Sequence, residues 1–391
     1  MSGDGGVGAR APRALRVVQV GFHVDPQGRD AEALLGAWPT LPGVAAGAAR
    51  AGVEVTVVQA AARRQTLERD GVVYHFVDDA RARPLRLPGG VRLPRRPARL
   101  LERVASLAPD VVHVQGLHYP LAARQLARAL PGVPLLVQDH ASRAPAGWRR
   151  VAWRWGHAPI AGVAFTAREQ AAPFFEARAI PAGLPVFEVI EGSTAFTPGD
   201  QDAARRETGL FGDPCLLWTG QLDANKDPLA TLDAFELAAP RLRDARLWCC
   251  FARAPLLDAV RARIASSPVL RDRVTLLGRR PHGEMESLFR AADFFVQTSH
   301  REGSGYSIVE ALACGTPPLV TDVPAARRVV GDAGSRTPVG DARALAEAMV
   351  EWAGRERACT RAAARAWFER ALTFDAIGRE LRAAYEALAA R

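Results

Sequence analysis

The sequence predicts an α/β protein built from two successive open parallel sheets. Three observations predict it. Short β-like apolar runs alternate with longer Ala/Leu/Arg stretches, the pattern of repeated βα units. At 391 residues the length suits two α/β domains, and 48% apolar residues are enough for sizeable cores. One break, "FTPGD" (196–200), separates two series of such runs.

In the first series, "ALRVVQVGF" (14–22) reads as the opening strand, followed by "VEVTVVQ" (53–59) and "VVYHFV" (72–77). "DVVHVQG" (110–116) and "VPLLVQD" (133–139) flank a helical stretch, and "IAGVAFTA" (160–167) and "LPVFEVIEG" (184–192) complete it. The second series runs through "PCLLWTGQL" (214–222), "ARLWCCFA" (245–252), "VTLLG" (274–278), "DFFVQTS" (293–299) and "PPLVTD" (317–322). A long amphipathic helix, "FDAIGRELRAAYEALAAR", ends the chain. In open α/β sheets ligands bind beyond the carboxyl ends of the strands, and two such domains facing each other make a cleft.

Composition narrows the function. The five cysteines show no metal-ligand spacing; four lie among apolar or small residues and read as buried structural thiols. The Gly/Ala/Arg-rich start carries no apolar h-region, and no run reaches the length of a membrane span. A cytoplasmic protein is expected. The net charge of +9 favours anionic partners, and residues 81–104 alone hold eight Arg among Leu, Val and Pro. That stretch, Arg81 to Arg103, suits nucleic acid, a peripheral contact with an anionic membrane at its inner face, a phosphate-bearing lipid acceptor, or a solvated loop. Trp148, Trp153 and Trp155 beside it suit either helix packing or an interfacial face. Of 51 cationic side chains, Lys226 is the only lysine.

The most informative segment is "SHREGSGYSIVEALACGTPPLVTD" (299–322). A strand runs into a loop with a glutamate and two glycines, and a helix follows from about Tyr306 to Cys314. Gly315 is placed for the left-handed position after the helix, with Pro317 beyond it. Glu302 then lies in a loop at a strand's carboxyl end, and Glu310 about a turn inside the helix. The free amides around Ser304 to Ser307, with Gly303 and Gly305 permitting close approach, make an anion site. Two acids beside it suit vicinal diols, because carboxylates accept hydrogen bonds from hydroxyls. An anion site flanked by diol binders describes a nucleotide sugar. Lys226 follows the first strand of the same domain and can supply a point charge to a leaving diphosphate.

These motifs resemble those of the retaining glycosyltransferases of family 4, which have the GT-B fold. "EGSGYSIVE" resembles the family's E-x7-E motif, and "EALACGTPPLVTD" its continuation. "GQLDANKDP" is similar to its G-R-L-x-x-x-K-G/D segment; "DVVHVQG", "VPLLVQDH" and "VIEGSTAFTP" resemble its first-domain and domain-link stretches. The resemblance covers about residues 110 to 390. It implies two Rossmann-like domains facing across a cleft: a flexible tail (1–13), an acceptor-side domain (14–195), a nucleotide-sugar-binding domain (200–370) and a C-terminal helix (371–391) crossing back to the first domain.

It also implies roles. Lys226 would bind the donor diphosphate, Glu302 the donor sugar hydroxyls and Glu310 the ribose diol. His140, beside Asp139, would lie near the anomeric carbon or the attacking acceptor. Gly220 and Gln221, with the backbone of Gly303, Ser304, Gly305, Tyr306 and Ser307, would complete the donor cradle. The implied reaction is metal-independent transfer, with retention, from a UDP-, GDP- or ADP-sugar to a glycan, lipid-linked or small-molecule hydroxyl, as in cell-surface polysaccharide synthesis. No cofactor is required. The sequence departs from the family at Gln221, where a cation is usual and for which Arg301 or Arg279 is the candidate replacement. It departs also at Glu191, in place of the linker Asn, and in lacking the Gly-Gly loop after the first strand. A nucleotide-sugar epimerase of similar fold and a non-enzymatic polyanion binder are the alternatives; nucleic acid is not the expected partner.

Overall fold

The computed structural model of the chain describes residues 13–79, 85–86, 92–93 and 95–391. Most of the Arg-rich stretch from Arg81 to Arg92 lies outside the described residues.

The first sheet contains β1 (Arg16–Gly21), β2 (Glu54–Ala61), β3 (Gln65–Arg69), β4 (Val72–Asp78), β7 (Val111–Gln115), β8 (Leu135–Gln138), β9 (Gly162–Phe165) and β10 (Val186–Glu188), with a separate two-residue ribbon of β5 (Leu85–Arg86) and β6 (Arg92–Leu93). Its strand order is β10-β9-β8-β7-β1-β2-β4-β3, parallel throughout except for β3. The second sheet contains β11 (Cys215–Gly220), β12 (Arg246–Phe251), β13 (Val274–Gly278), β14 (Phe294–Gln297), β15 (Pro318–Thr321) and β16 (Ser335–Thr337), in the order β13-β12-β11-β14-β15-β16, all parallel. Every apolar run quoted above contains a strand. β3 and β16 were not expected. Both lie at sheet edges, and "QTLER" and "SRT" carry no continuous apolar run because an edge strand is not buried on both faces.

Both sheets are doubly wound. Helices Ala98–Ser106, Pro120–Ala129 and Arg149–His157 cover one face of the first sheet, seating Leu101, Leu126 and Trp153 on Val20, Val114 and Val137. On the other face lie helix Thr40–Arg50 and the final helix Phe374–Ala389, which packs Ile377, Leu381 and Tyr385 into the same core as Val44 and Val57. The two helices touch backbone to backbone: a Cβ on Gly378 would fall against the carbonyl of Gly47. In the second sheet, Trp218, Leu247 and Phe294 pack on one face, and Leu217, Phe295 and Val320 meet Ile308 and Leu312 on the other. Cys215, Cys249, Cys250 and Cys314 are buried, Cys359 is exposed, and all are free thiols. No described helix is long and apolar enough to cross a membrane.

The strand orders decide where ligands can reach. Each reverses direction beside its first strand, between β1 and β7 and between β11 and β14. At such a reversal the flanking connections leave on opposite faces, so a crevice opens beyond the strands' carboxyl ends.

Candidate active site

β11 ends at Gly220, and the next residues form a tight turn. Asp223 Oδ1 accepts from the amides of Asn225 and Lys226 at 3.0 and 2.9 Å. Asp227 adopts a left-handed conformation, φ 42°, and its side chain caps helix Pro228–Ala238. The turn is tied to the loop after β14. Thr298 Oγ1 donates to the carbonyls of Lys226 and Asp227, Asn225 Nδ2 donates to the Arg301 carbonyl at 3.1 Å, and His300 Nε2 lies 2.9 Å from Asp227 Oδ2. These bonds fix two loops that are 76 residues apart, and Lys226 Nζ donates to Glu302 Oε1 at 2.5 Å. The side chains are 21% and 9% exposed, so the pair is held largely out of water.

Beyond Glu302 the chain enters helix Tyr306–Ala313 through Gly305, whose φ of +66° favours glycine. No side chain caps this helix, and Ser304 Oγ is buried with no hydrogen-bond partner. Its free first-turn amides and this hydroxyl are the donor set an anion needs. Gly315, at φ +74°, ends the segment as expected. Glu310 lies one turn in, its side chain 14% exposed and 3.9 Å from His282 Nδ1. Burial pushes its carboxyl up to about 7.

The first domain supplies the opposite wall. His140 follows β8; its Nδ1 lies 2.7 Å from Glu191 Oε2 and its Nε2 2.8 Å from Gln115 Oε1. Glu191, rather than the adjacent Asp139, is therefore the acid that holds His140. Asp139 instead accepts from the Ser142 amide, and burial, reinforced by the negative charge of Glu191, raises its pKa. The polar chain continues inward: Gln115 Nε2 approaches His113, His113 Nδ1 meets the Tyr385 hydroxyl at 2.7 Å, and Gln19 Nε2 donates to that oxygen at 3.3 Å. His113 is fully buried, which lowers its pKa to about 3 and keeps it neutral.

The two walls touch. Gln170 Nε2 donates to the carbonyls of both Glu302 and Gly303 at 2.9 Å. The Thr40 and Tyr306 hydroxyls are 3.1 Å apart. Between the walls is a cavity of about 660 Å³ lined by Gln221, Lys226, Glu302 and Gly303 on one side and Asp139 and Arg143 on the other. Arg301 lines it too; Arg279 does not. Neither His140 nor Glu310 lines it. A second cavity, about 730 Å³, lies between β4 and helix Ala98–Ser106, away from both strand-order reversals. Among the described residues, no group of three His, Cys, Asp or Glu could hold a metal ion.

Sequence reasoning located Lys226, Glu302 and Gly303, which the structure brings together. It noted Glu191 only as a departure and did not find Gln170, Arg143 or His300. A carboxylate replacing the linker amide was the available signal for Glu191; Gln170 carried none.

Two Rossmann-like domains meeting across a cleft, with the final helix returned to the first domain, define a GT-B architecture. HepE of Anabaena, solved in complex with UDP, has this fold: the TM-score is 0.65 at 16% identity, covering 95% of this chain and 100% of that one. A family model described as "Glycosyl transferases group 1" matches residues 213–354, and one described as "Glycosyl transferase 4-like domain" matches residues 36–183. The chain belongs to the family 4-type glycosyltransferases. Among relatives, it is 26% identical over 260 residues to the GDP-mannose:cellobiosyl-diphosphopolyprenol alpha-mannosyltransferase of Xanthomonas oryzae pv. oryzae, covering 63% of this chain and 64% of that protein. It is 37% identical over 149 residues to the D-inositol 3-phosphate glycosyltransferase of Geodermatophilus obscurus, covering 35% of this chain and 32% of that one. The chain thus spans a little under two thirds of the first curated relatives it matches.

Proposed function

We propose that this protein transfers a sugar, with retention and without a metal ion, from a nucleoside diphosphate donor to an acceptor hydroxyl. The observation that carries the reading is the pairing of the chain's only lysine with Glu302 at the strand-order reversal of the second sheet. A donor diphosphate competes with Glu302 for the ammonium. Once Lys226 turns to the phosphates, Glu302 is released to accept from sugar hydroxyls, so one exchange serves both ends of the donor. The first-turn amides of helix Tyr306–Ala313 add hydrogen bonds to the phosphates, and Glu310 takes the ribose diol.

Catalysis on this reading is electrostatic. The leaving diphosphate gains charge as the glycosidic bond breaks, and a lysine fixed beforehand beside it stabilises that charge without reorganisation. The acceptor hydroxyl attacks from the face the diphosphate leaves. His140, oriented by Glu191 and Gln115, stands on the acceptor side. No glutamate is assigned as a nucleophile. Arg301 or Arg143, both on the cavity wall, can supply the cation that Gln221 does not.

The acceptor class we propose is a glycan or lipid-linked hydroxyl, in keeping with the diphosphopolyprenol acceptor in the Xanthomonas relative's name. The site of action is the cytoplasmic face of an anionic membrane, with Arg81–Arg103 among the contacts. Thermal melts with UDP, GDP, ADP and their sugar conjugates test the donor site, because a ligand that binds only the native state raises its apparent stability. One nucleotide family should raise the melting temperature of the wild type and not of Lys226→Ala. No shift with any of them overturns the reading.

A further inference from the structure

Exposed apolar side chains scattered singly are ordinary; clustered ones mark an interaction surface. Among the described residues, three of the seven exposed large apolar side chains fall together: Trp148 at 79%, Val151 at 71% and Trp155 at 47%. They sit at the start of helix Arg149–His157 and along its outer side. The same helix is firmly seated, since Trp153 is buried and stacks on Phe174, and His157 is buried beside it. Its outward face is therefore a stable surface, with two indole rings and a valine at spacings of three and four residues.

The surroundings of those side chains select the partner. Helix Arg149–His157 reads "RRVAWRWGH" and its neighbour Pro120–Ala129 reads "PLAARQLARA"; neither contains a carboxylate. From residue 111 to 168 there are seven Arg and one acid, Asp139, which is buried in the cleft turn. The Arg124 guanidinium lies 4.1 Å over the Trp155 ring, with Arg128 at 5.8 Å, so cationic and aromatic groups share one face.

From this juxtaposition we infer that the Trp148–Val151–Trp155 face, with its arginines, docks onto an anionic lipid bilayer. Indole rings settle at headgroup depth, an apolar tip between them enters the acyl boundary, and arginines gain from the negative surface potential. A phosphate backbone has no apolar phase for Val151 to enter. The inference rests on the proposed transfer reaction in one respect. Arg143 lines the donor cavity and Trp148 is five residues on, at most about 18 Å of chain. A bilayer held at Trp148 is thus within that length of the cavity wall, the span a lipid-linked acceptor would have to bridge.

The test is co-sedimentation of the full chain with phosphatidylcholine vesicles, with and without phosphatidylglycerol, at low and high salt. The wild type should pellet only with phosphatidylglycerol, and less so as salt rises. Trp148→Ser/Val151→Ser and Arg149→Gln/Arg154→Gln should each weaken partitioning roughly tenfold or more. Both should keep the wild-type melting temperature and nucleotide-induced shift, since these side chains are on the surface and none of them lines the donor cavity. Wild-type pelleting by both variants overturns the inference, as does failure of the wild type to pellet at low salt. Tight binding of duplex DNA that survives Trp148→Ser/Val151→Ser would make the face a polyanion site and also overturn it. Sedimentation needs no turnover, so its failure leaves the nucleotide shift, and with it the donor reading, intact.

Discussion

Lys226→Ala separates what the ammonium does for stability from what it does for catalysis. The Glu302 side chain is 9% exposed, so the variant strands a carboxylate that water reaches poorly. Breaking a deeply buried pair costs roughly 3–5 kcal/mol. Lys226 is itself 21% exposed, and solvent entering the gap should reduce the loss to about 1–3 kcal/mol. Adding Glu302→Gln removes the stranded charge and should recover most of that stability. Turnover behaves differently. Both variants lack the cation proposed to meet the leaving diphosphate, and both should lose about 10²–10³ in rate, the effect of one preorganised charge-stabilising contact. The assay is release of nucleoside diphosphate at saturating donor, with thermal melts on the same preparations. If Lys226→Ala turns over within about threefold of wild type, the assignment is wrong. If the double variant regains rate along with stability, Lys226 is structural.

Glu310 sets a pH dependence. Its carboxyl rises from 4.5 to about 7 through burial, so its contribution to stability is full below about pH 4.5, is lost as pH rises to about 7, and is flat above; the span is about 3 kcal/mol. Glu380, also raised to about 7, acts in the same window, so the quantity to read is the difference between wild type and Glu310→Gln: the variant should be the more stable at pH 8 in urea titrations, yet bind nucleotide less tightly. Tyr385→Phe leaves His113 Nδ1 and Gln19 Nε2 buried without the hydroxyl they share, and should cost about 1–3 kcal/mol by the shift in urea midpoint. Gly303→Ala would place a Cβ 2.6 Å from Ala141 Cβ and 3.0 Å from Glu191 Oε1; the loop must move, and turnover should fall roughly tenfold or more with a normal melting temperature.

The two sheets were legible because a strand buried on both faces is written as a continuous apolar run, as in "LLWT" or "FFVQ". The edge strands β3 and β16 were not, because half their side chains meet water. The proposed donor loop was legible because its chemistry is local: two glycines, two acids eight residues apart and a helix start all lie between Glu302 and Glu310. The acceptor wall was not. Asp139 adjoins His140 in sequence, but successive side chains at the end of a strand point to opposite sides. The carboxylate that reaches His140 comes from 51 residues away. Gln170 is more distant still, 132 residues from the carbonyl it holds, and a glutamine in a short helical turn carries no distinguishing pattern. The tryptophans mark the same boundary. Their spacing could not divide one face from another, whereas the fold buries Trp153 and exposes Trp148 and Trp155.

Glu191 acquires meaning only in three dimensions. It holds His140 on one side, and on the other its Oε1 would lie 3.0 Å from a Cβ placed on Gly303. The carboxylate at the place of the family's linker amide therefore touches both halves of the proposed reaction. The donor loop is bound to the first domain at three further places: through Gln170, through Ala141 against Gly303, and through the Thr40–Tyr306 hydroxyl pair. A donor that draws Lys226 from Glu302 acts on the very loop whose carbonyls Gln170 holds. On the proposed reading, donor binding and the meeting of the two domains become one equilibrium, because a ligand shifts a conformational balance only through its differential affinity for the two states. On this geometry the alignment of His140 with the donor is not set by either domain alone. It depends on the seam, to which Glu191 contributes a carboxylate.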